Sequence, residues 1–188
     1  MAFQFLTVQF DRLRTRIAIM RFRASGCQLG QGLRVRGGVP YLRNLGCLII
    51  GDYVRLRNEP NRIRLATGAQ GAIILGDEVA LNTGVHIYSA ARIDIGGGSR
   101  IGDNVAMFDT SFHAVHEGQS VRPRPITIGR NVWVGRNAII LPGVSIGDHS
   151  VVAAGSVVFD DIPALQVWRG NPAAFVKDVR AKNDFRRG

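Results

Sequence analysis

From Ile128 onward an aliphatic residue returns every six positions, at Ile128, Val134, Ile140, Ile146, Val152 and Val158. Four residues after each stands a small or β-branched one: Val132, Ala138, Val144, Ser150, Ser156 and Ile162. Glycine follows directly in Ile128-Gly129, Val134-Gly135 and Ile146-Gly147. The same spacing runs upstream through Ile95, Ile101 and Met107, and earlier through Leu75, Leu81, Ile87 and Ile93. A weaker stretch, Ile63, Ala69 and Leu75, carries it further back, and Ile50-Gly51-Asp52 reads as another repeat. A period of six matches neither the α-helical repeat nor the alternation of a half-buried strand. It predicts an all-β solenoid in which each hexad is a short strand with a corner, and three hexads make a turn of about 18 residues. Stacked turns bury a continuous column of Ile, Val and Leu.

Two breaks in the frame mark what is not scaffold. Between Ile93 and Ile95 the register slips by two residues, and Met107 and Ile128 are 21 apart where 18 would keep phase. The second stretch holds His113, His116, Glu117, Pro123 and Pro125, so residues near 112–125 are expected to form an arm projecting from the prism. The ends differ from the middle. Phe10, Leu13, Ile17 and Met20 share a helical stripe, with Arg14 and Arg21 on one side and Arg12, Arg16 and Arg23 on the other. Leu13, Thr15, Ile17 and Ile19 also alternate as in a strand; the helix is the favoured reading. Such a stripe serves either to plug the open end of the solenoid or to lie on an anionic membrane. From Ala173 to Gly188 the chain is polar and basic, and a short helix with a frayed tail is expected. The division is thus a basic N-terminal cap over 1–25, a β-helix over 26–165, and a C-terminal segment and tail over 166–188.

Composition agrees with one globular domain of 188 residues: 46% apolar, 20% charged, 7% aromatic, with 23 glycines to turn corners. No apolar run approaches the roughly 18 residues of a membrane-spanning helix. Met1 to Phe10 lack the basic start and small-residue cleavage site of a signal peptide, which points to the cytoplasm. Cys27 and Cys47 have no metal-ligand spacing and read as reduced thiols. The net charge of +10 is uneven: residues 1–64 hold 12 Arg against Asp11, Asp52 and Glu59, whereas the remainder is close to neutral. Aromatic residues are not interleaved with the arginines as stacking on nucleic acid would require, so nucleic acid is not an expected partner.

Four histidines are present. His149 sits in a corner slot, Gly147-Asp148-His149-Ser150, and reads as a solvated turn residue. His113 and His116 lie in the frame-breaking arm, where the ordinary reading is a surface loop; beside a substrate hydroxyl, such an imidazole accepts a proton near neutral pH.

The segment Phe108-Asp109-Thr110-Ser111-Phe112-His113, then Ile126-Thr127-Ile128-Gly129-Arg130-Asn131-Val132-Trp133-Val134-Gly135, resembles the hexapeptide-repeat acyltransferases, in particular galactoside, maltose and polysaccharide O-acetyltransferases. The similarity continues through Leu141-Pro142-Gly143-Val144-Ser145-Ile146-Gly147-Asp148 and Ala154-Gly155-Ser156-Val157-Val158 to Gly170-Asn171-Pro172-Ala173, covering about residues 75–177. It implies a left-handed parallel β-helix with short helical or irregular caps, and a homotrimer with sites between subunits. It also implies acetyl transfer from acetyl-CoA to a saccharide hydroxyl without a covalent enzyme intermediate. By that resemblance His113 is the general base, Asp109 orients it, Asn82 binds the acceptor, and the Arg136 N–H supports the oxyanion. Trp133 walls the pantetheine arm and Ala154 lies in the cofactor groove, with no metal required. Relatives often carry a lysine where this chain has Asp160, and a cation where it has Ala174; Arg169, Lys177 and Arg180 are the available replacements near the CoA phosphates. Three alternatives stay open: an N-acetyltransferase acting on an amino-sugar nucleotide, a non-catalytic solenoid platform, and a zinc carbonic anhydrase-like enzyme using His86, His113 and His116.

Overall fold

Each hexad is a short strand followed by a corner, and three such units close one three-sided coil. The computed structural model describes residues 2–114, 116–182 and 185–187, with side chains from Gln9 onward. Met1, Val115, Asn183, Asp184 and Gly188, which fall in the expected cap, arm and tail, lie outside the described residues.

Three parallel sheets form the sides of a solenoid of about six turns. Sheet A stacks Gln28–Leu29, Cys47–Ile50, Ala72–Leu75, Arg92–Ile95, Ile126–Ile128 and Ser145–Ile146. Sheet B runs from Arg34–Gly37 through Arg55–Asn58, Ala80–Leu81, Arg100–Ile101, Trp133–Val134 and Val151–Val152 to Gln166–Gly170 and Ala173–Asp178. Sheet C holds Tyr41–Asn44, Arg64–Thr67, His86–Ser89, Ala106–Phe108, Ile139–Ile140 and Val157–Val158. Alternation within each strand sends one residue in and the next out. Thus Leu56, Leu81, Ile101, Val134 and Val152 are in register along sheet B and essentially buried, as are Leu65, Ile87, Met107, Ile140 and Val158 along sheet C.

The corners carry their own rule. At the corner between sheets A and B, Gly32, Tyr53, Glu78, Gly98, Asn131, His149 and Leu165 all have φ between 53° and 75°. The amide of each of the last six donates to a carbonyl of the preceding turn, at 2.7–2.9 Å. Asp52, Asp77 and Asp148 add a second rung by accepting amides of Gln31, Asp52 and Arg130. The Asp148 carboxyl is raised by burial but more than compensated by the Arg130 amide and guanidinium, which leave it below its ordinary value.

The hexad frame is strict from Ile128 to Val158, where the register partners Ile128 and Ile146, Val134 and Val152, and Ile140 and Val158 are each 18 residues apart. Upstream, Ile50 pairs with Leu75 and Leu75 with Ile95, intervals of 25 and 20, because those strands are four residues long and their turns vary. The slip at Ile93 and Ile95 is therefore no defect: both side chains point inward from one strand, as Ile73 and Leu75 do beneath them. Ala69, counted in the repeat from sequence, is instead exposed in the turn after Arg64–Thr67. Ile95 pairs with Ile128, 33 residues on, and the surplus lies between Phe108 and Ile126. That segment is closed at its root, where Arg124 N donates to Asp109 O at 2.7 Å.

Helix α1, Ala2–Ala24, covers the first turn, but with a different stripe from the expected one. Ala18 and Phe22 are buried, Ile19 packs beside them, and Thr15 Oγ1 both accepts from Val35 N at 3.0 Å and donates to Val35 O. Small Ala18 and the hydroxyl of Thr15 let the helix approach the Arg34–Gly37 strand closely, so Phe10, Leu13, Ile17 and Met20 are turned outward, 41–70% exposed. No helix among the described residues is long and apolar enough to cross a membrane. The expected C-terminal helix is also corrected. Gly170, at φ 104°, reverses the chain, and Ala173–Asp178 pairs antiparallel with Gln166–Gly170, because the last edge of sheet B offers unpaired backbone groups to a segment with Phe175 and Val176. Cys27 is free and its thiol is pushed up to about 12 by burial and by Cys47, which makes it inert.

The helix orientation has a direct check. Phe22→Ala is expected to cost about 3–5 kcal/mol in urea unfolding, whereas Phe10→Ala is expected to stay within about 0.5 kcal/mol. The reverse order would mean that the other stripe faces the coil.

Candidate functional site

The outer face of sheet B carries a cleft of about 430 Å³ lined by Asn82, Arg100, Gly102, Trp133, Phe185 and Arg187 among others. Register explains the grouping. Arg100 stands between Ala80 and Trp133 in one outward column, so the half-exposed indole of Trp133 rises beside a guanidinium and above a methyl group. Asn82 follows Leu81 at the end of its strand; its amide donates to Ile101 O and its side chain faces the cleft.

At the adjoining corner between sheets B and C, Gly102, Gly135 and Ala154 belong to successive turns. A Cβ on Gly102 would lie 2.7 Å from Arg136 N, and one on Gly135 would lie 2.5 Å from Ala154 N. Glycine is required there because the backbone of the next turn occupies that space. Arg136 O accepts from Gly155 N at 2.8 Å, while the Arg136 and Ala154 N–H groups have no acceptor among the described residues. The corner thus presents unengaged backbone donors next to Trp133.

Two contributors to the cleft were missed from sequence, Phe185 and Arg187. The tail returns to the A–B corner, where Asn131 Nδ2 donates to Phe185 O at 2.9 Å and Arg187 N donates to Asn131 Oδ1 at 3.0 Å. The Arg187 guanidinium donates to Asn131 O and His149 O, and Arg100 donates to Arg187 O. His149, read as a solvated turn residue, is instead 8% exposed with Nδ1 2.9 Å from Asn131 Nδ2. It is covered because the tail lies across this corner. The only sequence signal was the left-handed slot that Asn131 and His149 share.

The arm sits elsewhere, at the corner between sheets C and A. Asp109 is fully buried, and its carboxylate accepts from Ser89 Oγ at 2.7 Å, Ala90 N at 2.7 Å and Ala91 N at 2.9 Å. None of these three bonds goes to His113; the carboxylate holds the root of the arm. Phe112, at φ 61°, packs near Tyr88 and Phe108, with ring centroids 5.0 and 5.9 Å away. His113 is exposed, and its backbone is fixed by His113 N donating to Ser111 O and Ser111 Oγ donating to His113 O. His86 stacks edge-on to Phe108 at 4.9 Å, and its imidazole is shifted below its ordinary value by burial and then by Arg64. His86, His113 and His116 are not drawn into one cluster, and no group of three metal-ligating side chains occurs among the described residues.

The expected cofactor cations fall on the C-terminal hairpin. Arg169 is in register with Ala174 and Lys177 with Val167, both exposed; Arg180 follows the last strand, also exposed. One chain therefore gathers Asn82 and Trp133 in the cleft, with Arg136 and Ala154 at the B–C corner to which the cleft residue Gly102 belongs. His113 and Asp109 lie at a different corner.

Residues 125–160 match the family model described as bacterial transferase hexapeptide (six repeats). The chain is 31% identical over 149 residues to a putative lipopolysaccharide biosynthesis O-acetyl transferase, WbbJ, of Escherichia coli, covering 73% of this chain and 74% of that protein. It is 34% identical over 114 residues to the galactoside O-acetyltransferase of Escherichia coli, covering 59% of this chain and 56% of that one. The chain spans little more than half the length of several such relatives. Among solved structures, a hexapeptide-repeat acetyltransferase of Vibrio cholerae, VCA0836, complexed with acetyl-CoA, superposes with a TM-score of 0.55 at 34% identity, over 58% of this chain and 61% of that chain.

The Asp109 bonding generates a prediction. Asp109→Asn points an amide nitrogen at one of three donors, so it is expected to lower stability by about 1–3 kcal/mol and to speed proteolytic nicking of residues 110–123. Unchanged stability and unchanged nicking would remove Asp109 from the root of the arm.

Proposed function

The chain belongs to the bacterial transferase hexapeptide family, and from that premise we propose that it transfers the acetyl group of acetyl-CoA to a saccharide hydroxyl. The observation that carries this reading is the B–C corner, where the unengaged N–H groups of Arg136 and Ala154 lie on the turn that follows the exposed Trp133 and on the turn stacked against it. Such a strip suits the amide-bearing pantetheine arm, with the indole as its apolar wall. Arg169 and Lys177 lie further along the same sheet, with Arg180 two residues past its last strand, and these cations would meet the phosphates of CoA.

In the proposed reaction the acceptor oxygen attacks the thioester carbonyl while His113 takes its proton. The tetrahedral oxyanion is held by the Arg136 N–H, the C–S bond breaks, and the CoA sulfur leaves with the proton returned by His113. Asn82 positions the acceptor. Asp109 acts on His113 only through the four-residue link to the buried root, as a positioning residue. Asn82 and Trp133 share sheet B while His113 springs from the opposite corner, so a site made of all three would take His113 from a neighbouring copy; this supports the reading of a homotrimer with shared sites.

Within this reading the outward stripe of α1 rests on an anionic membrane surface, at its cytoplasmic side. Phe10, Leu13, Ile17 and Met20 are exposed together, with Arg12, Arg16, Arg21 and Arg23 exposed around them.

His113→Ala is expected to lower kcat by about 10²–10⁴-fold with CoA binding retained, and mixing refolded His113→Ala and Trp133→Ala chains is expected to restore part of the activity. Full activity in His113→Ala would reassign the base; a monomer in light scattering would end the shared site. In vesicle sedimentation, the protein is expected to bind anionic but not neutral vesicles. Binding should weaken with salt and with Arg12, Arg16 and Arg23 replaced by Gln. Protein left in the supernatant at low salt would overturn the membrane role.

A further inference from the structure

Five arginines share the outer face of sheet B on the N-terminal side of the cleft. Arg34 is in register with Arg55, Arg36 with Arg57, Arg55 with Ala80, and Ala80 with Arg100. Adjacent strands in a sheet are about 4.8 Å apart, and like charges directly across a pair of strands are destabilising. The chain therefore holds guanidiniums at repelling distance in a fold whose own stability would be better served by neutral residues.

Carboxylates offset part of this charge. Asp103 pairs with Arg57 at 2.9 Å and Asp11 with Arg36 at 3.6 Å. Glu78 lines a recess with Arg34, Tyr53 and Arg55, but among the described residues neither of these arginines, nor Arg100, has a carboxylate within 4.0 Å. Arg100 spends part of its guanidinium on Arg187 O. The column Arg34, Arg55, Ala80, Arg100 has one gap, at Ala80, whose methyl group leaves a notch with Arg55 on one wall and Arg100 on the other. A second cleft, of about 420 Å³, follows this face and includes Arg34, Arg55, Arg57, Ala80, Asn82 and Arg100. Ala80 and Asn82 line both clefts, so the arginine face opens directly onto the proposed transfer site.

We propose that the notch over Ala80, walled by Arg55 and Arg100 and rimmed by Arg34 and Arg57, binds a phosphate or diphosphate group carried by the sugar acceptor. The proposal rests on the acetyltransferase reading for its placement: the cofactor residues Trp133, Arg136, Ala154, Arg169 and Lys177 lie toward the C-terminal end of sheet B, and Asn82 stands between them and the arginines. An anion at the notch is then an acceptor group and not a phosphate of CoA. Guanidiniums are the side chains suited to phosphate, giving paired N–H donors in one plane. The patch is four strands deep and carries no ladder of aromatic rings, which fits a small anion and not a polynucleotide. Soluble sugar nucleotides and lipid-linked sugar diphosphates present the same group.

The test uses inorganic pyrophosphate as probe, titrated calorimetrically into the full chain at low salt with CoA at saturation. The wild type is expected to bind, and Arg55→Gln and, separately, Ala80→Leu are expected to weaken binding about tenfold or more. Arg43→Gln, on the outer face of sheet C, should leave it unchanged. Arg55→Gln is a surface change that spares the fold if Ala80→Leu does not. No binding by the wild type, equal loss in Arg43→Gln, or loss in Lys177→Gln with none in Arg55→Gln would overturn the notch. Pyrophosphate binding that follows the expected pattern in a protein without acetyl transfer would leave the notch standing and remove the acetyltransferase reading. Acetyl transfer without pyrophosphate binding would do the opposite. Comparing a uridine-diphosphate sugar with a polyprenyl-diphosphate sugar in vesicles identifies the source, since Arg55→Gln should raise KM about tenfold for whichever is the acceptor.

Discussion

The stacking of one coil on the next through backbone hydrogen bonds is the constraint from which the rest of this structure follows. It fixes turn-to-turn spacing near 4.8 Å on all three sides, so particular corner positions are reserved for glycine or for a left-handed residue. Gly102 and Gly135 show the consequence: any side chain would enter the backbone of the following turn. The same spacing aligns outward side chains in columns, and a residue's neighbours are then set by sequence positions tens of residues apart. Arg34, Arg55, Ala80, Arg100 and Trp133 become one strip although they span a hundred positions of sequence.

This explains what could be read from the sequence and what could not. The inward aliphatic period is a repeated local signal, so the solenoid and its core positions from Ile128 to Val158 were legible. The outward columns were not, because their alignment depends on the true length of each turn. The turns from Ile50 to Leu75 and from Leu75 to Ile95 depart from 18 residues, so extrapolating the hexad frame misplaced Ala69 and hid the match of Arg34 with Arg55. The basic first third of the chain was visible as a charge count; its concentration on one face of one sheet was not. At the ends the failure has another origin. Helix periodicity selected Phe10, Leu13, Ile17 and Met20 by hydrophobicity, whereas the coil selects by close approach and by what Thr15 can bond, which favours Thr15, Ala18 and Phe22. The C-terminal segment, polar by composition, became a strand because an open sheet edge lay beside it.

The arm shows how such a scaffold tolerates an insertion. Extending a loop costs little once it is long, since closure entropy grows only logarithmically with length; the difficulty lies in the backbone groups left behind at the corner. Asn44, Thr67 and Ser89 are in register at the C–A corner, and Asp109 continues that column as a buried polar ladder. Thr67 Oγ1 accepts the amides of Leu45 and Gly46, and the Asp109 carboxylate accepts those of Ala90 and Ala91. A side chain thus supplies acceptors where the chain has left the coil, and the insertion can carry chemistry without unpairing the layer beneath it.

That arrangement also bears on what a carboxylate three turns into the ladder can do for a histidine four residues further on. The Asp109 carboxylate is buried and its three hydrogen bonds go to Ser89 Oγ, Ala90 N and Ala91 N, and releasing one of them would leave an amide or hydroxyl unpaired at a cost of about 1–3 kcal/mol. His113 is exposed on the same arm, and its backbone is held by its bonds to Ser111, N-terminal to the left-handed Phe112. Orientation of His113 therefore comes from the rigidity of the arm's attachment and from whatever surface faces the arm. Asn82 and Trp133 lie on another side of the solenoid, so under the proposed reading it is assembly with a second copy, more than any contact within one chain, that would bring base and acceptor together.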